Sequence, residues 1–164
     1  MVSKVIFIDR DGVINVNPEI GDYVKKWEEF RFMPRAKEAL MLLANNGYEI
    51  FLITNQAGVG RGLMTKEDLD NIHHNLKKEL SNMGVDLSIY CCMHSHDVGC
   101  DCRKPKPGLL LQAANDHQID LTEAVFIGDR ETDRLAGEAA GCRFIMVDEQ
   151  NDLLHAVHLY LSGN

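Results

Sequence analysis

Asp9 and Asp11 stand two residues apart, directly after the apolar run Val5-Ile6-Phe7-Ile8. Thr54 and Asn55 follow a second apolar run over 48–53, and Asp129 follows a third over 124–128, with Asp133 close behind. Lys104 lies between the last two, in Arg103-Lys104-Pro105. A carboxylate can attack phosphorus and form an aspartyl-phosphate. A second one, two residues on, can protonate the leaving alkoxide and then deprotonate the attacking water. Such acids repel one another and a phosphate, so a divalent cation belongs between them. Mg²⁺ suits the role, because it binds through a few carboxylates, main-chain oxygen and waters. Asp9, Asp11 and Asp129 are the expected Mg²⁺ ligands. Thr54 and Asn55 can donate hydrogen bonds to a transferring phosphoryl group, and Lys104 can neutralise its charge. An EF-hand loop is excluded, since its sixth position counted from Asp9 is Ile14 rather than glycine.

A second constellation is Cys92, His94, Cys100 and Cys102. Three thiolates and an imidazole at this spacing fit a closed tetrahedral Zn²⁺ site. A closed site leaves no position for water, so the zinc is expected to be structural. It ends directly at Arg103-Lys104 and would stiffen the loop that aims them. His96 competes with His94 as a ligand, while Cys91 and Cys142 read as buried thiols.

These groups are spread over 120 positions, so a fold must bring them together. Strands are predicted at 4–8, 48–53, 87–91, 124–128 and 143–147. Helices are predicted at 34–46, 65–82, 107–117, 132–140 and 151–161. The Thr65-Lys66-Glu67-Asp68 start is a variant capping box, and Gly47 and Gly141 end the helices before them. Strict β–α alternation implies a doubly wound parallel five-stranded sheet with helices on both faces. Ligands of such a sheet sit beyond the carboxyl ends of the strands. The irregular stretches 12–33, 54–64 and 92–106 all follow strands, so they belong at that edge. None has room for a large cap domain, so an open, capless site is expected.

Gly58-Val59-Gly60-Arg61-Gly62 is neither a dinucleotide fingerprint nor a P-loop, because Leu63 replaces the third glycine and no Gly-Lys-Ser/Thr follows. It would let main chain approach a substrate closely, with Arg61 as an anion clamp. Arg103 beside the lysine could join it in substrate binding. Arg10, Glu19, Asp22, Tyr23, Lys25, Lys26 and Trp27 are further contact candidates, whereas His73 and His74 read as surface or packing residues of a helix.

The chain has 164 residues, which suits a single domain over 1–164. A net charge of −8 argues against nucleic acid and anionic membrane as partners. No apolar run approaches a membrane span, and the N-terminal run is too short for a signal peptide. A cytoplasmic monomer acting on a small molecule is the expectation. Four of the five cysteines fall within 91–102, a clustering that favours metal over disulfides.

Taken in order, Asp9-Arg10-Asp11-Gly12, Thr54-Asn55, Lys104 and Gly128-Asp129 with Asp133 resemble the four motifs of the haloacid dehalogenase superfamily. The likeness runs from about residue 4 to residue 147. It is closer to the branch of heptose bisphosphate and histidinol phosphate phosphatases, through Phe7 to Asn15, Thr54 to Gly62 and Cys100-Asp101-Cys102-Arg103-Lys104-Pro105. The resemblance implies a Rossmann-like strand order of 5-4-1-2-3, with Asp9 as nucleophile and Asp11 as acid/base. It further implies a Mg²⁺-dependent phosphatase of a sugar phosphate, with heptose 1,7-bisphosphate losing its 7-phosphate. The glycine loop resembles the heptose type. The five-residue metal spacer and Gly128-Asp129-Arg130-Glu131-Thr132-Asp133 resemble the histidinol type, so histidinol phosphate is the rival substrate. A phospho-accepting signalling domain would place its reactive Asp after the third strand, where this chain carries zinc ligands. A zinc-stabilised binding module would not require Asp9, Asp11, Lys104 and Asp129 together.

Overall fold

The computed structural model describes residues 4–163. Its strands are β1 (Val5–Ile8), β2 (Glu49–Asn55), β3 (Leu87–Cys92), β4 (Val125–Gly128) and β5 (Arg143–Met146). Its helices are α1 (Ala36–Asn45), α2 (Lys66–Ser81), α3 (Gly108–His117), α4 (Glu131–Ala140) and α5 (Leu153–Leu161). Short 3-10 turns at Trp27–Glu29 and Leu121–Glu123 were not foreseen in the sequence.

All five strands run parallel in the order β3-β2-β1-β4-β5, the expected order read from the other edge. Successive strand residues face opposite ways, and each face finds its own helices. Ile6, Ile8, Ile50 and Leu52 pack with Leu40 and Leu43 of α1, Ile72 and Leu76 of α2 and Val157 of α5. Val5, Phe7, Phe51, Ile53 and Phe126 pack with Leu109 and Leu110 of α3 and Ala136 of α4. Burial on both faces is why β1 and β4 lack polar alternation.

Several boundaries differ from the sequence reading. The β2–β3 ladder continues past Ile53, pairing Thr54 with Cys91 and Asn55 with Cys92. Thr54, Asn55 and Cys92 are therefore strand residues held in fixed directions. Helix α1 starts at Ala36, after Pro34, because Arg35 takes a left-handed conformation with φ 60°. Helix α2 carries the expected box: Thr65 Oγ1 accepts from Asp68 N at 3.0 Å, and Asp68 Oδ2 accepts from Thr65 N at 2.8 Å. Among the described residues, no helix is long and apolar enough to cross a membrane.

Candidate active site

Strand β1 lies between β2 and β4, and Asp9 N–H donates to the Ile127 carbonyl at 3.0 Å. A cleft of about 690 Å³ opens there, lined by Asp9, Asp11, Asn55, Lys104 and Asp133, with Tyr23, Arg61, His96, Arg103 and Arg130 on its walls. It lies at the carboxyl ends of the strands, as predicted for this class of sheet.

Lys104 is 4% exposed and fully engaged. Its ammonium donates to Asp9 Oδ1 at 2.7 Å and to the Ile53 carbonyl at 2.9 Å, and it pairs with Asp133 Oδ1 at 2.6 Å. Three acceptors match the three protons of an ammonium. Burial disfavours the charge, yet Asp9 and Asp133 outweigh it and raise the lysine pKa. Burial also pushes the Asp9 carboxyl well above the usual carboxylate range, with Lys104 opposing and Asp133 adding to the rise. Asn55 holds the main chain of Lys104 with both ends of its amide. That role differs from the expected one, since the amide is committed to the loop rather than offered to a phosphoryl group.

Asp11 sits in a separate cage. Its Oδ1 accepts from Arg10 Nη2 at 3.0 Å and Asn15 Nδ2 at 2.8 Å, and its Oδ2 accepts from Gln56 Nε2 at 2.8 Å. Burial alone would raise its pKa, but Arg10, Asn15 and Gln56 outweigh burial and hold it below the ordinary value. Gln56 Nε2 also donates to Thr54 Oγ1 at 2.9 Å, which leaves the Thr54 hydroxyl proton for another acceptor. Thr54 is wholly buried. Arg10 was a candidate substrate contact, but it has no exposed surface and faces inward to Asp11 and His73. Trp27 likewise stacks on Phe30 at 4.9 Å, away from the cleft. Lys25 and Lys26 do not line the cleft, whereas Glu19, Asp22 and Tyr23 do.

One carboxylate oxygen each from Asp9, Asp129 and Asp133 lies within 4.8 Å of the others. Three carboxylates against the single Lys104 ammonium leave two negative charges, which suits a divalent cation. Asp133 is committed elsewhere, because its Oδ2 accepts from the main-chain N–H of Asp129 and Arg130 at 3.2 and 3.1 Å. Asp129 Oδ2 accepts from Asn17 at 3.2 Å, while its Oδ1 is buried without a partner. Burial raises the Asp129 pKa. The residues present thus fit a cation, with Asp9 and the unpartnered Asp129 oxygen as available carboxylate ligands. The Asp11 carboxylate, expected as a third, is outside this cluster because its cage turns it toward Arg10, Asn15 and Gln56. Gly12 allows the arrangement, since a Cβ there would meet Asp129 Oδ2 at 2.1 Å, and its φ is +85°.

Cys92, His94, Cys100 and Cys102 converge as the spacing predicts. Cys92 Sγ is 3.7 Å from Cys100 Sγ and 3.6 Å from His94 Nδ1, and His94 Nδ1 is 3.2 Å from Cys102 Sγ. Around a tetrahedral zinc, neighbouring sulfurs should lie about 3.8 Å apart and sulfur and nitrogen about 3.6 Å. The cluster therefore fits Zn²⁺. His96, the competing ligand, instead lines the cleft. Cys142 is buried, as expected.

The glycine loop comes close to protein rather than to open cleft. Gly60 N–H donates to the Met93 carbonyl at 2.9 Å, and a Cβ on Gly60 would meet Ser95 N at 2.5 Å. A Cβ on Gly58 would meet the Tyr23 ring at 2.9 Å. Arg61 reaches the cleft wall, where its Nη1 donates to Tyr23 Oη at 3.3 Å. Arg103 Nη1 is buried without a partner. Arg103, then burial and Arg61, lower the pKa of His96, and all three side chains line the cleft.

Sequence reasoning missed Asn15, Gln56, Asn17 and His73 as parts of the site. Asn15 and Gln56 had one signal, lying within the stretches Phe7 to Asn15 and Thr54 to Gly62 that carry the closer resemblance. His73 had none beyond a helical position on the apolar face of α2.

Fold and cleft together define a haloacid dehalogenase-like phosphatase domain. A family model described as polynucleotide kinase 3 phosphatase matches residues 4–153, and the chain belongs to that family of hydrolases. It is 41% identical over 153 residues to the D-glycero-beta-D-manno-heptose-1,7-bisphosphate 7-phosphatase of Helicobacter pylori, covering 92% of this chain and 87% of the relative. It is 38% identical over 146 residues to the D-glycero-alpha-D-manno-heptose-1,7-bisphosphate 7-phosphatase of Photorhabdus laumondii, covering 84% of this chain and 78% of that one. Among solved structures, the D,D-heptose 1,7-bisphosphate phosphatase of B. bronchiseptica, complexed with magnesium and phosphate, superposes with a TM-score of 0.90 at 30% identity. That match covers 98% of this chain and 99% of the other.

Proposed function

We propose that this chain removes the 7-phosphate of D-glycero-D-manno-heptose 1,7-bisphosphate through an aspartyl-phosphate on Asp9. The observation that carries the chemistry is the separation of two carboxylates in one cleft. Asp9 is paired with a buried lysine, and Asp11 is caged by Arg10, Asn15 and Gln56. In the first half-reaction an Asp9 oxygen bonds to phosphorus as the bond to the sugar oxygen breaks. The Asp11 carboxyl gives its proton to that leaving alkoxide. In the second half, water attacks phosphorus and the Asp9–phosphorus bond breaks. Asp11 recovers a proton from the water. The incoming phosphate adds negative charge beside Asp11 and so favours its protonated form. Thr54 donates its remaining hydroxyl proton to the phosphoryl group, and Lys104 shares its charge between Asp9 and the phosphoryl oxygens. Asp9 and Asp129 would hold Mg²⁺, which supplies positive charge against the phosphoryl oxygens. Cys92, His94, Cys100 and Cys102 would hold a structural Zn²⁺.

The retained 1-phosphate falls to Arg61 and Arg103, whose guanidinium forks suit bidentate phosphate contact. Arg103 has a buried, unpartnered nitrogen to offer. Histidinol phosphate carries cations in place of the second phosphate and would need acids at that end. Glu19 and Asp22 line the cleft, but Asp22 is already paired with Lys25 at 2.8 Å.

The test is phosphate release from both heptose bisphosphate anomers, heptose 7-phosphate, histidinol phosphate and common sugar phosphates. A heptose bisphosphate should give the highest kcat/KM. Arg61→Ala and Arg103→Ala should reduce kcat/KM for the bisphosphate more than for heptose 7-phosphate. A preference for histidinol phosphate would overturn the substrate assignment.

A further inference from the structure

The contact between Arg10 and His73 plays no part in the steps above, yet it stands directly behind Asp11. Arg10 lies just past the end of β1 and His73 in the middle of α2, 63 positions away. Arg10 Nη1 lies 3.1 Å from His73 Nε2, and Arg10 Nη2 donates to Asp11 Oδ1 at 3.0 Å. The guanidinium ranks among the largest fully buried side chains, and His73 is 9% exposed. The Phe30 ring lies 5.8 Å from the guanidinium carbon. Burying a cation this far from water is costly unless it is paired and hydrogen-bonded.

Arginine carries donors only. The His73 nitrogen that meets it must therefore be the acceptor, which places the imidazole proton on Nδ1. A charged imidazole would present a donor to a donor. Consistent with this, burial and then Arg10 push the His73 pKa down to about 3. The imidazole is thus a fixed, neutral acceptor whose lone pair sets the plane of the guanidinium. That plane in turn aims Nη2 at Asp11. Arg10 Nε has no hydrogen-bond partner, so the hydrogen bonds of the guanidinium come from its two terminal nitrogens.

We infer that His73 is a positioning residue for the acid/base step, acting through Arg10 to fix the direction of the Asp11 carboxyl. This rests on the reading of Asp11 as proton donor to the leaving group. The inference assigns a role to helix α2, which otherwise contributes nothing to the chemistry.

Two substrates separate this role from a merely structural one. A sugar phosphate leaves as a basic alkoxide and needs the proton of Asp11. p-Nitrophenyl phosphate leaves as a stable phenolate and forms the aspartyl-phosphate without it. His73→Leu removes the acceptor, and His73→Gln restores one through its amide oxygen. With His73→Leu, kcat on the sugar phosphate should fall roughly 10- to 100-fold. KM and the pre-steady-state burst of p-nitrophenolate should stay within about threefold. His73→Gln should recover most of the lost kcat. Should His73→Leu fail to fold by circular dichroism, His73→Asn replaces it, since its shorter amide falls short of Arg10. Equal losses on both substrates, an unchanged kcat, or no recovery with His73→Gln would overturn the inference. Asp11→Asn is run beside them. If it shows no selective loss on the sugar phosphate, the reading of Asp11 fails, and the inference fails with it. If it shows that loss and His73→Leu does not, the inference alone fails.

Discussion

Asn55 grips Lys104 by the main chain rather than by the ammonium. Its Nδ2 donates to the Lys104 carbonyl and its Oδ1 accepts from the Lys104 N–H, both at 3.1 Å. A strand-end side chain on β2 thereby fixes a residue 49 positions later, on the loop after the cysteine–histidine cluster. The ammonium that meets Asp9 is aimed from its own backbone.

Asn55→Ala should therefore act as a lysine-positioning mutant. Small misplacements near the chemistry cost up to about 10²-fold in rate, and kcat should fall by about that factor. KM for the phosphate ester should change less. An unaltered kcat in a folded Asn55→Ala protein would show that the paired hydrogen bonds do not set the lysine.

The two acids should separate cleanly. Asp9→Asn is nearly isosteric and should abolish turnover while preserving the fold. Asp11→Asn should slow turnover by about 10²–10⁴, the usual share of a general acid/base. Mass spectrometry during turnover should find phosphate on Asp9. Clear phosphatase activity in verified Asp9→Asn protein is the outcome that removes Asp9 as nucleophile.

One tightly held zinc per chain is expected, separate from exchangeable Mg²⁺. Brief EDTA followed by excess Mg²⁺ should restore activity. Cys100→Ala and Cys102→Ala should lose the zinc and lower both melting temperature and kcat, while His96→Ala should keep the zinc. Elemental analysis of protein purified without chelators decides the matter, and a result without zinc would defeat the assignment.

The pH dependence of stability should carry a His73 signature. An unfolded histidine titrates near 6.5, whereas burial and Arg10 lower the folded value to about 3. Between these values the unfolded chain binds more protons, so stability rises with pH. The His73 contribution is fully present above about pH 6.5 and is lost as pH falls toward 3, at up to about 1.4 kcal/mol per pH unit. Urea unfolding at pH 7 and pH 5 should show a smaller acid-side loss for His73→Gln than for wild type. Equal losses would mean that His73 protonates in the folded state.

Much of this was legible in one dimension. The runs before Asp9, Asn55 and Asp129 lack polar alternation because both faces of a central parallel strand are buried, so they read as strands. Residues following such strands share one edge, which gathers Asp9, Lys104 and Asp129 without a structure. The Cys92, His94, Cys100 and Cys102 cluster was legible because its four members are local in sequence. What was hidden is direction. Nothing in the string says that Arg10, between two acids that line the cleft, is itself wholly buried, or that α2 delivers His73 to it. The amide of Asn55 looks the same whether it meets a phosphate or a main chain. Gly58 and Gly60 announce close approach, but not that the neighbours are Tyr23 and the Met93–Ser95 main chain.

The contact of Gly60 with the Met93–Ser95 main chain has a consequence for how the substrate range can change. A side chain at position 60 would collide with Met93 O and Ser95 N, and Gln56 N–H is bonded to the Cys92 carbonyl at 2.7 Å. The glycine loop and the loop over 92–103 are therefore one wall made of two distant stretches of gene. Grafting 56–62 from a phosphatase of different preference, without its matching 92–103, would set the new loop against the wrong mould. Inheritance faces the same constraint, so divergence at this wall should proceed by paired replacements in the two stretches rather than by drift in either one.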